Sequence, residues 1–414
     1  MLEVAGLGGK RVEAIGRAWR EHRDLHEVMV FLQGYDIPAA LAVVRTNPYR
    51  LAEEIWGVGF RSADRIAISL GMSPLDHRRA RAGLLFVLNE AAGEGHCYLE
   101  EADLVRHCAA LLTIPPELVS AELPGLVSDE RLVISGEKIY LAPLYHAESG
   151  AAAGFLRLHG GAPPWGEITV ARALPALQEQ LGVGLADEQR QALQTVLGGR
   201  LAIITGGPGT GKSTILKALI LLLEQQGVGI SLAAPTGRAA KRMAEATGRE
   251  AKTLHRLLEY DPVGRGFKRN PENFLDADLV VVDEASMLDI YLANALVRAL
   301  PPHGALLLVG DSDQLPSVGP GNVLRELLAA EIFPVARLTR IFRQAEGSLI
   351  SLNADRVNRG ESFELLPDYR GDKDFYYIAR ETDQEIEAEV LSLCGGRLGK
   401  RYGFDPRRDI QVLT

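Results

Sequence analysis

A glycine-rich octet set between an apolar run and a helical one is the densest chemical signal in this sequence. LAIIT at 201–205 is followed by Gly206-Gly207-Pro208-Gly209-Thr210-Gly211-Lys212-Ser213, which leads without a break into STILKALILLLEQQ. The spacing satisfies G-x-x-x-x-G-K-[ST] in its meaningful context, after a strand and at the start of a helix. Glycines let successive backbone N–H groups curl around a phosphate, and the helix adds its own N-terminal N–H groups and dipole. Gly207, Pro208, Gly209, Thr210 and Gly211 are therefore the expected phosphate cradle, with Thr214 one residue beyond the motif. Lys212 is expected to reach the β- and γ-phosphates of a nucleotide, and the Ser213 hydroxyl to ligate Mg²⁺.

The other half of such a metal site should be an acidic residue ending a neighbouring buried strand. ADLVVVDEAS at 277–286 supplies Asp283 and Glu284 there. Asp283 is placed to hold the metal directly or through water, making Ser213 and Asp283 the expected metal pair. Glu284 is placed to polarise a water for in-line attack on the γ-phosphate. A further apolar run, ALLLVGD, leads to Asp311, Asp313 and Gln314, and the Gln314 amide is suited to sensing a γ-phosphate and relaying its presence to a second domain. Ligand chemistry in open α/β sheets gathers at such strand ends. Arg340 and Arg343 in LTRIFRQ offer planar guanidinium forks for transferred-phosphoryl charge, although each read alone is a surface arginine. The expected catalytic set is Lys212, Asp283, Glu284, Gln314 and Arg343.

These groups need a scaffold that brings strand ends together. From 201 onward, apolar runs at 201–205, 229–233, 278–282 and 304–309 alternate with helical segments, the pattern of a parallel sheet covered by helices. An α/β lobe is expected over 150–334. Before it, 1–71 carries two similar blocks, VAGLGGKRVEAI at 4–15 and IWGVGFRSADRIA at 55–67, each reading helix, glycine turn, helix. Residues 72–149 read as helices followed by strand-like runs at 126–142 around a Ser-Gly-Glu-Lys turn, a small winged-helix-like unit. The stretch GAAAGFLRLHGGAPPWG at 150–166 mixes small residues with a Pro-Pro pair and reads as a boundary or exposed crossover. DIQVLT at 409–414 reads as one more strand just begun, so 335–414 is expected to open a second lobe in a domain cut short.

The chain has 414 residues, enough for two to four domains, and its 47% hydrophobic content excludes disorder. With 45 Lys plus Arg against 54 Asp plus Glu it has no overall basic field, so a nucleic acid must be held by local features. Cys97, Cys108 and Cys394 are too far apart for a compact metal cluster and too few to pair fully, which favours a reducing, cytoplasmic setting. Neither a leader h-region nor an apolar run long enough for a bilayer is present, so no membrane partner is expected.

The motifs together resemble the RecD-like ATP-dependent DNA helicases of superfamily 1, the solitary bacterial type with an N-terminal extension. The resemblance rests on Gln189 in LADEQRQAL, GGPGTGKST at 206–214, APTGRAAKRM at 234–243, TLHRLL at 253–258, VVDEASMLD at 281–289, VGDSDQLPSVGPGNVL at 309–324 and LTRIFRQ at 338–344. TNPYRLAE at 46–53 and GVGFRSADRIA at 57–67 extend it into the N-terminal part. It implies a RecA-like P-loop motor lobe preceded by a mainly helical extension with helix-hairpin-helix elements. The cofactors it implies are ATP and Mg²⁺. By the same resemblance Gln189 reads the adenine edge, Gln314 couples hydrolysis to movement and Arg343 meets the γ-phosphate. The implied activity is 5′–3′ translocation on single-stranded DNA with duplex unwinding, and the implied partners are single strands, single/double-strand junctions and other repair or replication proteins. A monomer is expected.

Thr236, Arg238, Lys241 and Arg242 are expected to meet DNA phosphates after the strand GISLAA, with His255 and Arg256 in the same track. Arg265, Phe267, Lys268 and Arg269, within 259–276, resemble the family's strand-splitting pin, a plain surface loop being the other reading. The glycine turns at Gly6-Leu7-Gly8 and Gly57-Val58-Gly59, flanked by Lys10, Arg11, Arg61 and Arg65, offer backbone N–H groups to DNA phosphate; a helical docking scaffold is the alternative. Residues 1–81 carry a net charge of +2 against −11 for the remainder, which permits such contacts. The family continues with further motor motifs, so this polypeptide is expected to bind Mg·ATP and hydrolyse it poorly. A nucleotide-switched DNA-binding protein without unwinding activity is the competing reading; a different nucleoside triphosphatase, such as a small-molecule kinase or clamp-loader-like factor, fits the motifs less fully.

Overall fold

The computed structural model describes residues 46–54, 59–264, 266–340, 348–364 and 374–413. They belong to two units, Met1–Arg340 and Ile341–Thr414. In the first, α1 (Arg50–Glu54), α2 (Phe60–Ser69) and α3 (His77–Gly93) precede β1 (Tyr98–Glu100), α4 (Glu101–Leu112), α5 (Pro116–Ser120), α6 (Leu123–Ser128), β2 (Leu132–Ser135) and β3 (Lys138–Leu141). The three strands form an antiparallel sheet in the order β1-β3-β2, which with the intervening helices is a winged helix. Part of the expected strand-like run is helical instead. Pro124 sits in the first turn of α6, and Leu123 and Leu126, three apart, bury one helical face.

The helices before this winged helix share its core. Tyr49, Phe60, Ala63 and Ala67 pack with Leu84, Leu88, Leu104 and Leu112 across the boundary expected at 71/72. A polar clamp reinforces the join. Arg79 donates from Nε and Nη2 to the two Asp64 carboxylate oxygens at 2.8 and 3.0 Å, and the Tyr49 hydroxyl donates to Asp64 Oδ1 at 2.7 Å. Arg79 also donates to the carbonyl of Leu112 at 2.9 Å. Burial pushes the Asp64 carboxyl up, but the Arg79 and Tyr49 hydrogen bonds outweigh it and leave it below the usual range. Asp64→Ala, which leaves the Arg79 guanidinium and Tyr49 hydroxyl short of a partner, should cost about 3 kcal/mol in denaturant unfolding. Because the folded value is depressed, the stabilisation is present above the unfolded pKa of about 3.9 and is lost as pH falls through the folded value. The stability gap between wild type and Asp64→Ala should therefore narrow in acid.

The expected boundary near 150 falls inside a helix. α7 (Ala142–His159) leaves β3 directly and packs along α13 (Ile290–Ala299). The small residues read as a crossover are what allow this approach. A Cβ on Gly150 would lie 2.4 Å from Asn294 Oδ1, and one on Gly154 would lie 2.3 Å from Val297 Cγ2. Only glycine at both positions lets the two helices meet this closely.

Between them lie α8 (Val170–Leu181), α9 (Asp187–Leu197), β4 (Leu201–Gly206), α10 (Lys212–Glu224), β5 (Ile230–Ala234), α11 (Gly237–Thr247), β6 (Ala251–Thr253), α12 (Leu254–Leu257), the hairpin β7 (Tyr260–Asp261) and β8 (Gly266–Phe267), and β9 (Leu279–Val282). β10 (Ala305–Gly310), α14 (Val323–Ala329) and β11 (Val335–Leu338) follow α13. The main sheet is wholly parallel with order β11-β4-β10-β9-β5-β6. Its strands are apolar on both faces and alternate between two cores. Leu201, Ile203, Val280, Val282, Leu306 and Leu308 join α7, α13 and α14; Ala202, Ile204, Leu279, Val281, Leu307 and Val309 join α8, α9 and α10. This is the α/β fold with a helical N-terminal part that the motifs imply. One boundary differs. β11 pairs with β4, so the segment expected to open a second lobe at 335 completes the first sheet.

The second unit holds α15 (Leu349–Asn358), α16 (Asp383–Ser392) and α17 (Leu398–Tyr402), with a π-helical turn at Leu393–Arg397. Thr382 and Glu385 form a capping box at the start of α16. No strand occurs among the described residues of this unit, and 409–413, expected as a strand, is loop with Val412 and Leu413 exposed. An apolar strand needs a neighbouring strand for its hydrogen bonds, and none is present here among those residues.

Candidate nucleotide-binding site

Strand register brings the separate motifs to one edge. Thr205 pairs with Gly310 and Val282 with Leu308, so the glycine loop after β4, Asp283 after β9 and Asp311 after β10 leave the sheet side by side. The loop itself requires its glycines. Gly209 and Gly211 have φ of +81° and +87°, and Gly211 is the N-cap of α10. Thr210 is buried and its hydroxyl donates to the Gly207 carbonyl at 2.8 Å, which holds the curl. The Lys212 ammonium lies over the loop, donating to the Gly206 carbonyl and to that of Gly207 at 2.9 Å. Ser213 is exposed at the start of α10, and Thr214 donates its N–H to Gly211.

Desolvation pushes the Asp283 carboxyl above its usual range, against the Glu284 N–H, which donates to Asp283 Oδ1 at 2.9 Å, and the charge of Lys212. Glu284 is raised too, first by burial and next by Asp283, while Lys212 and Arg242 draw it down. Its backbone is left-handed, φ +53°, an unfavourable conformation for a non-glycine residue at the turn out of β9. Asp311 is buried and accepts from the Asp313 N–H at 3.1 Å and from Gln314 Nε2 at 3.5 Å. Gln314 is exposed at the site's edge. Thr205 carries no motif signal, yet its hydroxyl accepts the Ser312 N–H at 3.4 Å and ties the β10 loop to the strand that feeds the glycine loop.

These residues suit a nucleotide with Mg²⁺. No cluster of three or more His, Cys, Asp or Glu that could cage a metal occurs among the described residues. Mg²⁺ bound with triphosphate needs no such cage, since phosphate oxygens and water complete an octahedron around one carboxylate and a hydroxyl. Asp283 and Ser213 are of that kind. Gln189 sits at the start of α9, buried, with its Oε1 accepting the Ala186 N–H at 3.0 Å. Arg340 is exposed just after β11, and Arg343 lies outside the described residues.

Next to this edge, α11 buries Ala239, Ala240 and Met243 and exposes Arg238, Lys241 and Arg242. Thr236 is its N-cap, with Oγ1 accepting the Ala239 N–H at 3.2 Å, so that oxygen has a structural task. Lys241 pairs with Glu245 at 3.8 Å, an exposed helical pair that leaves the ammonium accessible. His255 stands exposed against Tyr260 and Phe267, ring centroids 5.8 and 5.7 Å away, and joins α12 to the β7–β8 hairpin, whose tip residue Val263 is 92% exposed. Arg256 and Lys268 are exposed. Arg269 departs from expectation, because its guanidinium is engaged at the hairpin base by Glu259 at 2.7 Å and the Phe274 carbonyl at 3.0 Å. Arg265, Gly57 and Val58, like the first glycine turn with Lys10 and Arg11, lie outside the described residues; Gly59 is the N-cap of α2, and Arg61 and Arg65 are exposed on that helix.

A parallel sheet with a phosphate loop after one strand and a carboxylate pair two strands away defines a P-loop nucleoside triphosphatase fold. Sequence comparison agrees, the AAA domain family matching residues 189–320 and the ATP-dependent RecD2 DNA helicase HHH domain matching 21–98. The chain is 36% identical over 388 residues to the ATP-dependent RecD2 DNA helicase of Deinococcus radiodurans, covering 87% of this chain and 53% of that one. It is 34% identical over 352 residues to the RecBCD enzyme subunit RecD of Mycobacterium tuberculosis, covering 78% and 58%. The structure of Pif1 helicase from Candida albicans aligns with TM-score 0.36 and 24% identity over 51% of this chain and 55% of that one. Over most of its own length the chain is thus similar to RecD-type helicases. It spans about half the length of the curated relatives it matches.

Proposed function

We propose that this chain binds Mg·ATP at residues 206–214 and supplies the ATPase lobe of a DNA helicase that moves 5′ to 3′ on single-stranded DNA and opens duplexes. The observation that carries the nucleotide reading is the convergence of the glycine loop, Asp283–Glu284 and Asp311–Gln314 on one sheet edge. The loop N–H groups and Lys212 hold the β- and γ-phosphates, and Gln189 faces the base. Ser213 and Asp283 hold Mg²⁺, which neutralises phosphate charge when bound. Glu284, held close by its turn at the end of β9, accepts a proton from the attacking water. Gln314 senses the γ-phosphate and couples hydrolysis to movement, and the family resemblance alone assigns Arg343 to the γ-phosphate. Arg238, Lys241 and Arg242 contact the DNA backbone beside the site, the charge of Arg242 being felt at Glu284. The β7–β8 hairpin, with Val263 at its tip, serves as the strand-separating pin at a single/double-strand junction. Polarity is inferred from family resemblance alone.

Strand displacement on duplexes with opposite single-stranded tails tests this reading. The full-length protein should open the 5′-tailed duplex with Mg·ATP and leave the 3′-tailed one closed. ATP-dependent DNA binding with neither duplex opened would favour the second reading, a nucleotide-switched DNA-binding protein.

A further inference from the structure

Glu188 immediately precedes Gln189 in the first turn of α9 and spends its carboxylate on a segment 151 residues away. Oε2 accepts the Thr339 N–H at 3.0 Å and the Arg340 N–H at 3.2 Å, while Oε1 accepts the Thr339 hydroxyl at 2.7 Å. The Thr339 hydroxyl above all, with the two backbone donors, holds the carboxyl below its usual range. Thr339 follows Leu338, the last residue of β11. There the chain lies against the phosphate loop: a Cβ on Gly206 would stand 2.6 Å from the Leu338 carbonyl oxygen and 2.9 Å from its Cβ. One continuous brace thus runs from the end of α9 through Glu188 and Thr339 to Leu338 and Gly206. Gln189 hangs on the α9 end of that brace, its Oε1 fixed to the Ala186 N–H.

We propose that Glu188 is a positioning residue for nucleotide-base recognition, its carboxylate fixing the α9 terminus that carries Gln189 relative to the phosphate loop through the end of β11. The inference rests on the Mg·ATP reading above and adds the group that sets the distance between base-binding and phosphate-binding halves of the site. A charged acceptor with three donors is suited to the task, because charge-assisted hydrogen bonds are stronger and more directional than neutral ones. Its loss weakens whatever depends on both halves at once. A ligand that uses the phosphate half alone is spared.

Calorimetric binding of Mg·ATP and of Mg·tripolyphosphate, which has no base, to the 414-residue chain separates these cases. Glu188→Ala should weaken Mg·ATP about tenfold and leave Mg·tripolyphosphate unchanged. Thr339→Val, which removes only the hydroxyl donor, should lose part of the same ATP preference. The double variant should be no worse than Glu188→Ala, as expected for two ends of one interaction. Glu188→Gln, with one acceptor oxygen retained, should recover part of the preference. Equal loss of both ligands in Glu188→Ala, or an unaltered ATP preference in both Glu188→Ala and Thr339→Val, would overturn the proposal. Should Glu188→Ala fail to fold, the ATP preference of Thr339→Val alone decides. Failure of the underlying nucleotide reading looks different: the wild-type chain would bind neither ligand, or Lys212→Ala would bind both as the wild type does.

Discussion

Lys212→Ala should leave the chain folded and weaken Mg·ATP binding by at least about 100-fold, with ATP-dependent unwinding abolished. The ammonium is the cation that lies over the glycine loop, and its partners there are the Gly206 and Gly207 carbonyls. Those oxygens are only partly buried, so water can replace the lysine when it is gone. The core of α10 is built from residues further along the helix, among them Ile215, Leu216, Leu219, Ile220 and Leu223. Thermal unfolding should therefore shift by no more than about 2 °C while the nucleotide loses its main positive partner. Calorimetry with Mg·ATP and a melting curve on the same sample check both halves. Retained affinity, or unwinding that persists with ATP, would remove the phosphate role assigned to this lysine.

Glu284→Gln should separate binding from turnover. The amide keeps the shape of the carboxylate and removes its ability to take a proton, so Mg·ATP affinity should stay within about threefold while DNA-stimulated hydrolysis falls roughly 10²- to 10⁴-fold. The contrast with Asp283 is the informative part. Burial raises both carboxyls and the charge of Lys212 draws both down, but Asp283 alone of the two also accepts the Glu284 N–H. Asp283→Asn should accordingly weaken Mg²⁺-dependent nucleotide binding as well as turnover. A Glu284→Gln chain that loses binding as fully as Lys212→Ala would place Glu284 among the ligands and leave the water without its base.

The glycine loop and the Asp283–Glu284 pair were legible because each is written in contiguous residues. Strand, loop and helix follow one another at 201–224, and four branched apolar residues precede the carboxylates directly. The same contiguity misled at 150–159, where small residues suggest an exposed crossover that begins only after His159; their reason is the α13 helix, whose Asn294 and Val297 occupy the space that side chains on Gly150 and Gly154 would fill. It misled again at Arg269, a basic residue in a plausible DNA-facing hairpin that Glu259 and the Phe274 carbonyl engage at its base. A side chain's partner is invisible in the sequence when it lies on another element.

What the sequence determined alone is therefore the local chemistry: a phosphate loop between strand and helix, an acidic pair at a strand end, and apolar runs that must be buried on both faces of a parallel sheet. Hydrogen-bonding geometry and hydrophobic periodicity over a few residues are enough to specify these. Tertiary structure decided which strand ends stand side by side, that β11 completes the first sheet, that Tyr49, Phe60, Ala63 and Ala67 share the winged-helix core, and that Glu188 reaches Thr339. Each of these is a pairing across tens to more than a hundred residues, settled by register and packing complementarity, and neither is expressed in the residues on one side of the pair.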